Sequence, residues 1–292
     1  MEALESIFVS EMTTQSLLED HLGDIIQKAR SGKGLSLADL ARASGLTQAQ
    51  LDQAEKGTLI LQPDHLQRLA ECLGLDVRKL AAIANGTWTP EPFPTGLKDQ
   101  VILVPGMIGS YPVNGYILYD GQTGEAACID TAYDPEKMLR SIEAQHLRLK
   151  YILLTHAHHD HMGGVETIKA KSGARLYLHR DEMPLFSRQS RLTPDGFVND
   201  HFETSIGRIH LKANSTPGHT PGGVTYLTEG LCFVGDALFA GSTGRSMSPK
   251  GYQSLLTSLR QKVLSLPDDT VILPGHGPTT TVGEEKRHNP FF

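Results

Sequence analysis

The feature that most constrains this chain is one pattern that occurs at four places: an apolar or tightly turned segment ends at side chains that can bind a metal ion. The densest example follows the mostly apolar run 150–154, where four of the 13 histidines and one Asp lie within residues 156–161. Short apolar runs rich in β-forming residues predict buried strands. Because open α/β folds place their sites beyond the carboxyl ends of strands, the pattern predicts a site at one edge of a sheet.

The pattern recurs at three later positions. His219 lies in a turn framed by proline and glycine. Asp236 ends the apolar run 232–234, and His276 follows the apolar run 271–274. Imidazole and carboxylate groups are ligands for zinc and similar divalent metals. A single His is usually an ordinary core or surface residue, but a metal site assembled from strand ends explains all four places together.

These residues, taken in order, resemble the ligand motif of the metallo-β-lactamase superfamily. The resemblance covers residues 101–292 and implies an α+β fold, an αββα sandwich in which two mixed sheets pack face to face with helices outside. It also implies two divalent metal ions, zinc foremost, with iron or manganese as alternatives. The residues at the family's seven ligand positions are His156, His158, Asp160, His161, His219, Asp236 and His276.

The family motif implies a division of roles among these ligands. The first metal position takes His156, His158 and His219, the second takes Asp160, His161 and His276, and the bridging position takes Asp236. Two divalent ions that share a hydroxide lower the pKa of bound water towards about 7 and so provide a nucleophile at neutral pH. Asp160 and Asp236 are the candidate catalytic groups, because a carboxylate can take up a proton as the tetrahedral intermediate collapses.

Two further residues lie close to the motif. Asp130 follows the strand-like run 127–129 and resembles the family's outer carboxylate that orients a ligand imidazole. The alternative is that Asp130 caps the turn towards Asp134. His159 is not a ligand position in the family, and because neighbouring side chains alternate in direction we expect it to point away from the metals.

Four short segments resemble one branch of the superfamily, glyoxalase II and its short relatives. They are residues 112–116, 241–246, 275–278 and 289–292. The branch implies a hydroxyacylglutathione hydrolase-like enzyme that cleaves a small-molecule thioester or related acyl substrate. Short relatives follow Gly-Arg-Ser with Asp, whereas Met247 stands at that position here. Arg245 and Lys250 are candidate contacts for an anionic substrate, and the alternative is that both are solvated charges.

Other branches leave alternatives open. Persulfide dioxygenases hold a single iron with two His and one Asp, which here would be His156, His219 and Asp236, and leave positions open for oxygen. Lactonases and β-lactamases share the ligand set. A transcriptional regulator that uses the metallo-hydrolase domain as a sensor is a further alternative.

The first third of the chain has the period of short helices. Apolar residues recur at helical spacing from residue 18 to residue 30 and again from residue 66 to residue 81. Thr47 and Gln50 have the spacing of a capping box, and Gly45 permits a tight turn before them. These signals predict a small all-α domain ahead of the catalytic one.

Helix, glycine turn and helix at this spacing resemble the phage-repressor (Cro-like) helix-turn-helix family. In that family the helix that matches residues 47–55 here, from Thr47 to Glu55, lies in the major groove of DNA. Gln48, Gln50 and Gln53 are then candidate readers of adenine edges. Residues 1–85 carry eight Lys and Arg against twelve Asp and Glu, a net charge of −4, whereas phosphate contacts favour basic surfaces. A role in protein interaction or homodimer formation is the alternative to DNA binding.

Length and composition fit this arrangement. The 292 residues, 39% of them hydrophobic and 21% charged, are ordinary for a globular protein of two domains. We predict a helix-turn-helix domain over 1–86, a Pro-rich linker over 87–98 and a catalytic domain over 99–292. No apolar stretch approaches the roughly 20 residues that span a bilayer, and residues 1–5 lack the basic start of a signal peptide. Three scattered cysteines favour a reducing compartment, so the sequence predicts a cytoplasmic protein without a membrane partner.

Overall fold

The computed structural model of the protein describes residues 18–92 and 100–292. The acidic start at residues 1–5 and the predicted boundary between residues 98 and 99 lie outside this part of the chain. Among the residues that are described, none of the helices combines the length and the apolar character needed to cross a membrane.

Residues 18–92 form a small helical domain, which confirms the predicted all-α helix-turn-helix region. Its core contains the fully buried side chains of Ile25, Leu40, Leu51 and Leu69. Its helices are α1 (Leu22–Gly32), α2 (Leu37–Ser44), α3 (Gln48–Glu55), α4 (Pro63–Leu73) and α5 (Val77–Ala84).

The helix ends follow from their capping residues. At α3 the capping box forms as predicted, because the Gln50 N–H donates to Thr47 Oγ1 at 3.2 Å and the Thr47 N–H donates to Gln50 Oε1 at 2.9 Å. Helix α1 begins at Leu22 rather than at residue 18, because His21 and Asp24 cap each other in the same reciprocal way. Residues 18–20 therefore precede the helix and are free to make contacts elsewhere.

Residues 100–292 form the predicted sandwich. Its strands are β1 (Val101–Ile108), β2 (Tyr111–Tyr119), β3 (Glu125–Ile129), β4 (Arg148–Leu153), β5 (Arg175–His179), β6 (Gly196–Val198), β7 (Glu203–Ile206), β8 (Ile209–Ser215), β9 (Val224–Thr228), β10 (Leu231–Gly235), β11 (Leu238–Phe239), β12 (Ser242–Thr243), β13 (Val271–Pro274) and β14 (Thr280–Thr281). The helices of this region are α6 (Pro135–Ala144), α7 (His159–Met162), α8 (Val165–Ser172), α9 (Met183–Phe186), α10 (Pro249–Ser258) and α11 (Val282–His288).

Both large sheets are mixed. The first has the order β1-β2-β3-β4-β5-β6, antiparallel up to β3 and parallel from β3 onwards. The second has the order β14-β13-β10-β9-β8-β7, in which only β10 and β13 run parallel. A two-stranded hairpin of β11 and β12 follows the second sheet's central strand β10.

Apolar side chains fill the space between the sheets. Tyr116 and Leu153 from the first sheet pack with Tyr226, Phe233 and Leu273 from the second. A second apolar cluster lies between the first sheet and α6 and α8, and a third lies between the second sheet and α10. The layers are therefore helix, sheet, sheet and helix, as the family resemblance implies.

The helical domain packs directly on the sandwich. Tyr252 and Leu256 of α10, together with Phe291, belong to the same buried apolar cluster as the core of the helical domain. Gly32 makes this possible, because a Cβ there would lie 2.5 Å from the Tyr252 ring. In the stretch predicted as linker, the Trp88 ring stacks on His288 with centroids 4.8 Å apart. The two domains thus share one continuous apolar contact.

Candidate metal centre

The four segments singled out in the sequence meet at one edge of the two sheets. Residues 155–158 leave β4, and the next four residues form the single turn α7. His219 lies in the turn between β8 and β9, Asp236 directly follows β10, and His276 follows β13. The ligand candidates therefore come from the carboxyl ends of β4, β8, β10 and β13, as the strand-end pattern predicts.

The first group contains His156, His158, His219 and Asp236, whose ligand atoms all lie within 4.8 Å of one another. His158 Nδ1 lies 3.0 Å from His219 Nε2, and His219 Nε2 lies 3.5 Å from Asp236 Oδ2. Ligands about 2.1 Å from a tetrahedral zinc ion are about 3.4 Å from each other. The spacing of this group therefore fits a metal ion of that size.

The second group contains Asp160, His161 and His276. His276 Nε2 lies 3.2 Å from Asp160 Oδ2 and 3.3 Å from His161 Nε2. Asp236 reaches this group too, because its Oδ1 lies 3.2 Å from His161 Nε2 and its Oδ2 lies 3.5 Å from His276 Nε2. One carboxylate thus faces both groups, which is the position that a bridging ligand requires.

An orphaned nitrogen supports the fit of a metal ion. His156 is 2% exposed, and its Nε2 finds no hydrogen-bond partner among the described residues. A buried polar atom of this kind costs free energy unless something pairs with it. Nε2 points towards Asp236 Oδ2 at 3.9 Å, which is too long for a hydrogen bond and suits two ligands of one ion.

The remaining nitrogens of the ligand imidazoles contact the surrounding protein. His276 Nδ1 lies 2.6 Å from the Pro112 carbonyl oxygen, and His219 Nδ1 lies 2.8 Å from the Arg245 carbonyl oxygen. Such outer contacts fix the ring orientation and the tautomer of a ligand histidine. They orient Nε2 of His276 and of His219 towards the centre.

Asp130 makes the contacts expected of an outer carboxylate. Its Oδ2 lies 2.9 Å from His161 Nδ1 and accepts the Thr155 hydroxyl at 2.7 Å, while its Oδ1 accepts the Thr155 N–H at 2.8 Å. The side chain is buried. The alternative role, capping the turn at Asp134, falls to Asp134 itself, which accepts the Lys137 N–H at the start of α6.

Burial and close charges shift the pKa values in the centre. Burial lowers the pKa of His219 to about 4 and holds that of His156 well below its usual range. Burial would raise the pKa of Asp236, but His161 and His276 outweigh it and hold that pKa well below its usual range. Despite burial, Asp236 raises the pKa of His161 well above its usual range and that of His276 to about 9. His156 and His219 are therefore neutral, whereas His161 and His276 would give up a proton when a metal ion binds.

Glu182 is a residue of this site that the sequence did not reveal. Its buried carboxylate accepts the Ala157 N–H at 2.8 Å through Oε2 and the Gly222 N–H at 2.7 Å through Oε1. It therefore joins the loop that carries His156 and His158 to the turn that carries His219. Glu182 stands among charged residues at 180–182, so no local pattern distinguished it.

The remaining residues singled out in the sequence, Arg245, Lys250 and His159, differ in how they relate to the two ligand groups. Arg245 is exposed, but its carbonyl oxygen contacts His219, and its Nη2 donates to Gln27 Oε1 of the helical domain. Lys250 is exposed in the first turn of α10, and no contact joins it to either ligand group among the described residues. His159 is exposed and contacts Tyr133 and Gln189 rather than a ligand group, as expected.

Comparison with known proteins agrees with this geometry. A family model described as the metallo-beta-lactamase superfamily matches residues 108–276, and one described as helix-turn-helix matches residues 26–80. The hydroxyacylglutathione hydrolase GloC of Haemophilus influenzae is 33% identical over 202 residues, which cover 63% of this chain and 95% of GloC.

Two solved structures are similar in the same region. The crystal structure of the BLEG-1 B3 metallo-beta-lactamase is 34% identical with a TM-score of 0.57, and the match covers 65% of this chain and 99% of that one. The crystal structure of TTHA1623 in a di-iron-bound form is 33% identical with a TM-score of 0.55, covering 65% of this chain and all of that one (100%). The chain therefore belongs to the metallo-beta-lactamase superfamily of metal-binding hydrolases, in its glyoxalase II-like branch, and carries a helix-turn-helix domain at its N-terminal end.

Proposed function

We propose that this protein is a hydrolase of thioesters, with a hydroxyacylglutathione-like molecule as its substrate. The observation that carries the proposal is the second ligand group, Asp160, His161 and His276, which shares Asp236 with the first. A site with both groups offers the geometry for two metal ions. The similarity to a hydroxyacylglutathione hydrolase over nearly all of that enzyme's length supports the choice of substrate class.

The ligand assignment is part of the proposal. We assign His156, His158 and His219 to one zinc ion, Asp160, His161 and His276 to the other, and Asp236 to both. When bound, two such ions supply an activated water molecule and polarise the substrate carbonyl. The donor set does not select zinc uniquely, because imidazole and carboxylate also suit iron and manganese.

The protein's own carboxylates would move the proton. His276 beside Asp160, and His161 and His276 beside Asp236, lower the pKa of each carboxylate despite its burial. Both are therefore ionised at neutral pH and can accept a proton. The Asp160 side chain is 23% exposed and that of Asp236 only 9%. Asp160 is thus better placed to pass a proton to solvent, while Asp236 holds the two ligand groups together.

A thioester suits this arrangement better than an amide. A thiolate leaves without a strong general acid, and with metal ions bound the imidazoles of this centre would be neutral beside the ionised carboxylates Asp160 and Asp236. Arg245 is the candidate for contact with an anionic part of the substrate, because its backbone contacts His219 while its side chain is exposed. We do not assign that role to Lys250.

A metal and substrate assay tests the proposal. The purified full chain is analysed for zinc, iron and manganese and is then offered S-lactoylglutathione, a lactone, a β-lactam and glutathione persulfide. Hydrolysis of the thioester well above the others supports the proposal. Oxidation of the persulfide with about one iron per chain would replace it with the dioxygenase alternative, which needs only His156, His219 and Asp236.

For the helical domain we propose a role in DNA binding or homodimer formation. Gln48 and Gln53 of α3 are exposed and available to a partner. Gln50 is occupied by the cap of α3, which removes one of the three candidate base readers. Gel-shift and sedimentation measurements on the full chain would separate the two roles.

A further inference from the structure

The helical domain contacts the catalytic domain close to the metal centre. Its residues 19–28 meet three segments that carry or support ligand residues: the hairpin of β11 and β12, the residue after His276, and Arg245. Each contact has its own chemistry, and together they define the surface of the helical domain that faces the centre.

The first contact is a buried ion pair. Asp20 and Lys28 form it with side chains only 7% and 8% exposed. Ser242 Oγ donates to Asp20 Oδ2 at 2.5 Å, and Lys28 Nζ donates to the Thr243 carbonyl oxygen at 2.9 Å. Since a buried charge must be paired and hydrogen-bonded, this contact fixes the start of α1 on the β11–β12 hairpin.

The same ion pair reaches towards a ligand residue. Lys28 Nζ lies 4.6 Å from the centroid of the Phe239 ring. The Phe239 ring in turn meets the His276 ring edge-on, with centroids 5.9 Å apart. The Phe239 ring therefore lies between Lys28 of the helical domain and His276 of the second ligand group.

The second contact brings a carboxylate to the centre. Glu19 lies against Gly277, the residue after His276, so closely that a Cβ on Gly277 would be 2.8 Å from Glu19 Cβ. Burial raises the pKa of Glu19, and the charges of His276 and Asp236 act on it as well. The Glu19 carboxylate therefore lies within electrostatic reach of the second ligand group.

The third contact lies on the other side of the centre. Gln27 accepts a hydrogen bond from the Arg245 guanidinium, and the Arg245 carbonyl oxygen contacts His219 Nδ1 at 2.8 Å. The helical domain thus places the Glu19 carboxylate near His276 and holds the side chain of Arg245, the residue whose carbonyl oxygen contacts His219. Since the two domains also share an apolar core, this surface is fixed to the centre.

We propose that the helical domain forms one wall of the catalytic pocket, and that Glu19 on this wall disfavours substrates with an anionic group on the His276 side. The inference rests on the proposed thioester hydrolase function, because it assigns substrate selection at that same site. A like charge within several ångströms in a partly buried site changes binding several-fold. The helix-turn-helix domain is then part of the enzyme's specificity, whatever else it binds.

The test compares an anionic and a neutral substrate on the full chain. The substrates are S-lactoylglutathione and the neutral lactoyl thioester of N-acetylcysteamine. In Glu19→Gln the ratio of kcat/KM for the anionic over the neutral substrate should rise roughly 3- to 10-fold. Glu19→Asp, which keeps the charge, should retain the wild-type ratio. Glu71→Gln, the same change at an exposed site on α4, should also leave it unchanged.

A wild-type ratio in Glu19→Gln, or an equal change in Glu71→Gln, would overturn the inference. A second readout keeps it separate from the hydrolase proposal. The cobalt-substituted protein is titrated with mercaptosuccinate, which is anionic, and with neutral 2-mercaptoethanol, and binding is followed by visible absorbance. In Glu19→Gln the binding of mercaptosuccinate should become tighter, and the binding of 2-mercaptoethanol should not change. If neither thioester is hydrolysed, the substrate proposal fails. The titration still tests whether Glu19 of the helical domain disfavours anionic ligands at the centre.

Discussion

The metal centre and the outer face of α3 are both made of polar side chains that the sequence singles out, but they differ in what those side chains meet. In the centre the polar groups face each other: His161 Nε2 alone lies 3.2 to 3.6 Å from Asp160, Asp236 and His276. On α3, Gln48 and Gln53 face outwards. Buried groups that converge in this way could hold a metal ion, whereas exposed groups on a common fold do not identify a partner.

Because of this difference, the His and Asp motif predicts a kind of chemistry, whereas the helix-turn-helix motif predicts only a fold. The candidate ligands of the centre are held by outer contacts such as that of Asp130 with His161, so their positions have little freedom. The helix-turn-helix needs only its turns, caps and core to form. The net charge of the domain does not depend on these features, and here it is negative.

The largest effect is expected when a ligand of the first group is removed. His158→Ala takes away the imidazole that lies 3.0 Å from His219, so we predict loss of one metal ion per chain and a fall in thioester turnover of more than about 100-fold. Metal analysis and kinetics measure both. His210→Ala, at an exposed histidine of β8, is the matched control and should change neither. Full turnover in His158→Ala would contradict the dinuclear assignment.

A smaller effect is expected from the outer carboxylate. Asp130→Asn keeps the size of the side chain but weakens its hold on His161, so metal affinity or activity should fall by about 10- to 100-fold. Competition with a chelator gives the affinity. Asp268→Asn, at an exposed residue paired with Lys286, serves as control. If both variants bind metal equally well, Asp130 has no role in orienting the ligand.

The stability of the chain should depend on pH through a buried carboxyl group near the contact between the two domains. Glu285 is buried, accepts the Gly241 N–H near the β11–β12 hairpin, and contacts Asn289. Burial raises its pKa to about 8 from the usual 4.5. Between these values the folded chain keeps a proton that the unfolded chain loses, so stability falls as the pH rises from 4.5 to 8, by up to about 1.4 kcal/mol per pH unit.

Glu285→Gln removes this titration. In denaturant unfolding of the metal-free chain, the wild type should therefore lose stability relative to Glu285→Gln as the pH rises from about 5 to 8. Glu143→Gln, at an exposed position on α6, controls for the loss of a carboxylate. A constant difference between wild type and Glu285→Gln across this range would show that the buried carboxyl is already ionised at the lower pH.

The smallest effect is expected on DNA. Because residues 1–85 carry a net charge of −4, few phosphates are expected to be neutralised, and the binding of random duplex should be weak with a slope of log K against log salt shallower than about −3. Fluorescence anisotropy of the full chain at several salt concentrations measures it. A steep slope with tight binding would show that local cations on the helical domain outweigh its net charge, and the contrast between the two regions would disappear.

Much of the centre was predictable because its ligands follow strand ends. The runs before His156, Asp236 and His276 form strands as expected, and the capping box of Thr47 and Gln50 forms as well. These signals are local. They depend on residues a few positions apart, and tertiary contacts only reinforce them.

The remaining features depend on contacts between distant parts of the chain. Glu182 acts through two backbone N–H groups 25 and 40 positions away. Tyr252 and Phe291 belong to the core of a domain that begins more than 200 residues earlier in the sequence. Glu19 was predicted as part of the first helix but lies beside Gly277. Hydrophobic period and local motifs carry no information about such pairings.

The central claim is that two ligand groups share Asp236 in one hydrolytic centre, and metal content measured together with thioester turnover tests it most directly. The full chain is stripped of metal and titrated with zinc while S-lactoylglutathione hydrolysis is followed. The account predicts binding of about two ions per chain, with turnover reaching its full value only when both positions are filled. Saturation at about one ion, with no thioester hydrolysis at saturation with zinc, iron or manganese, would contradict it.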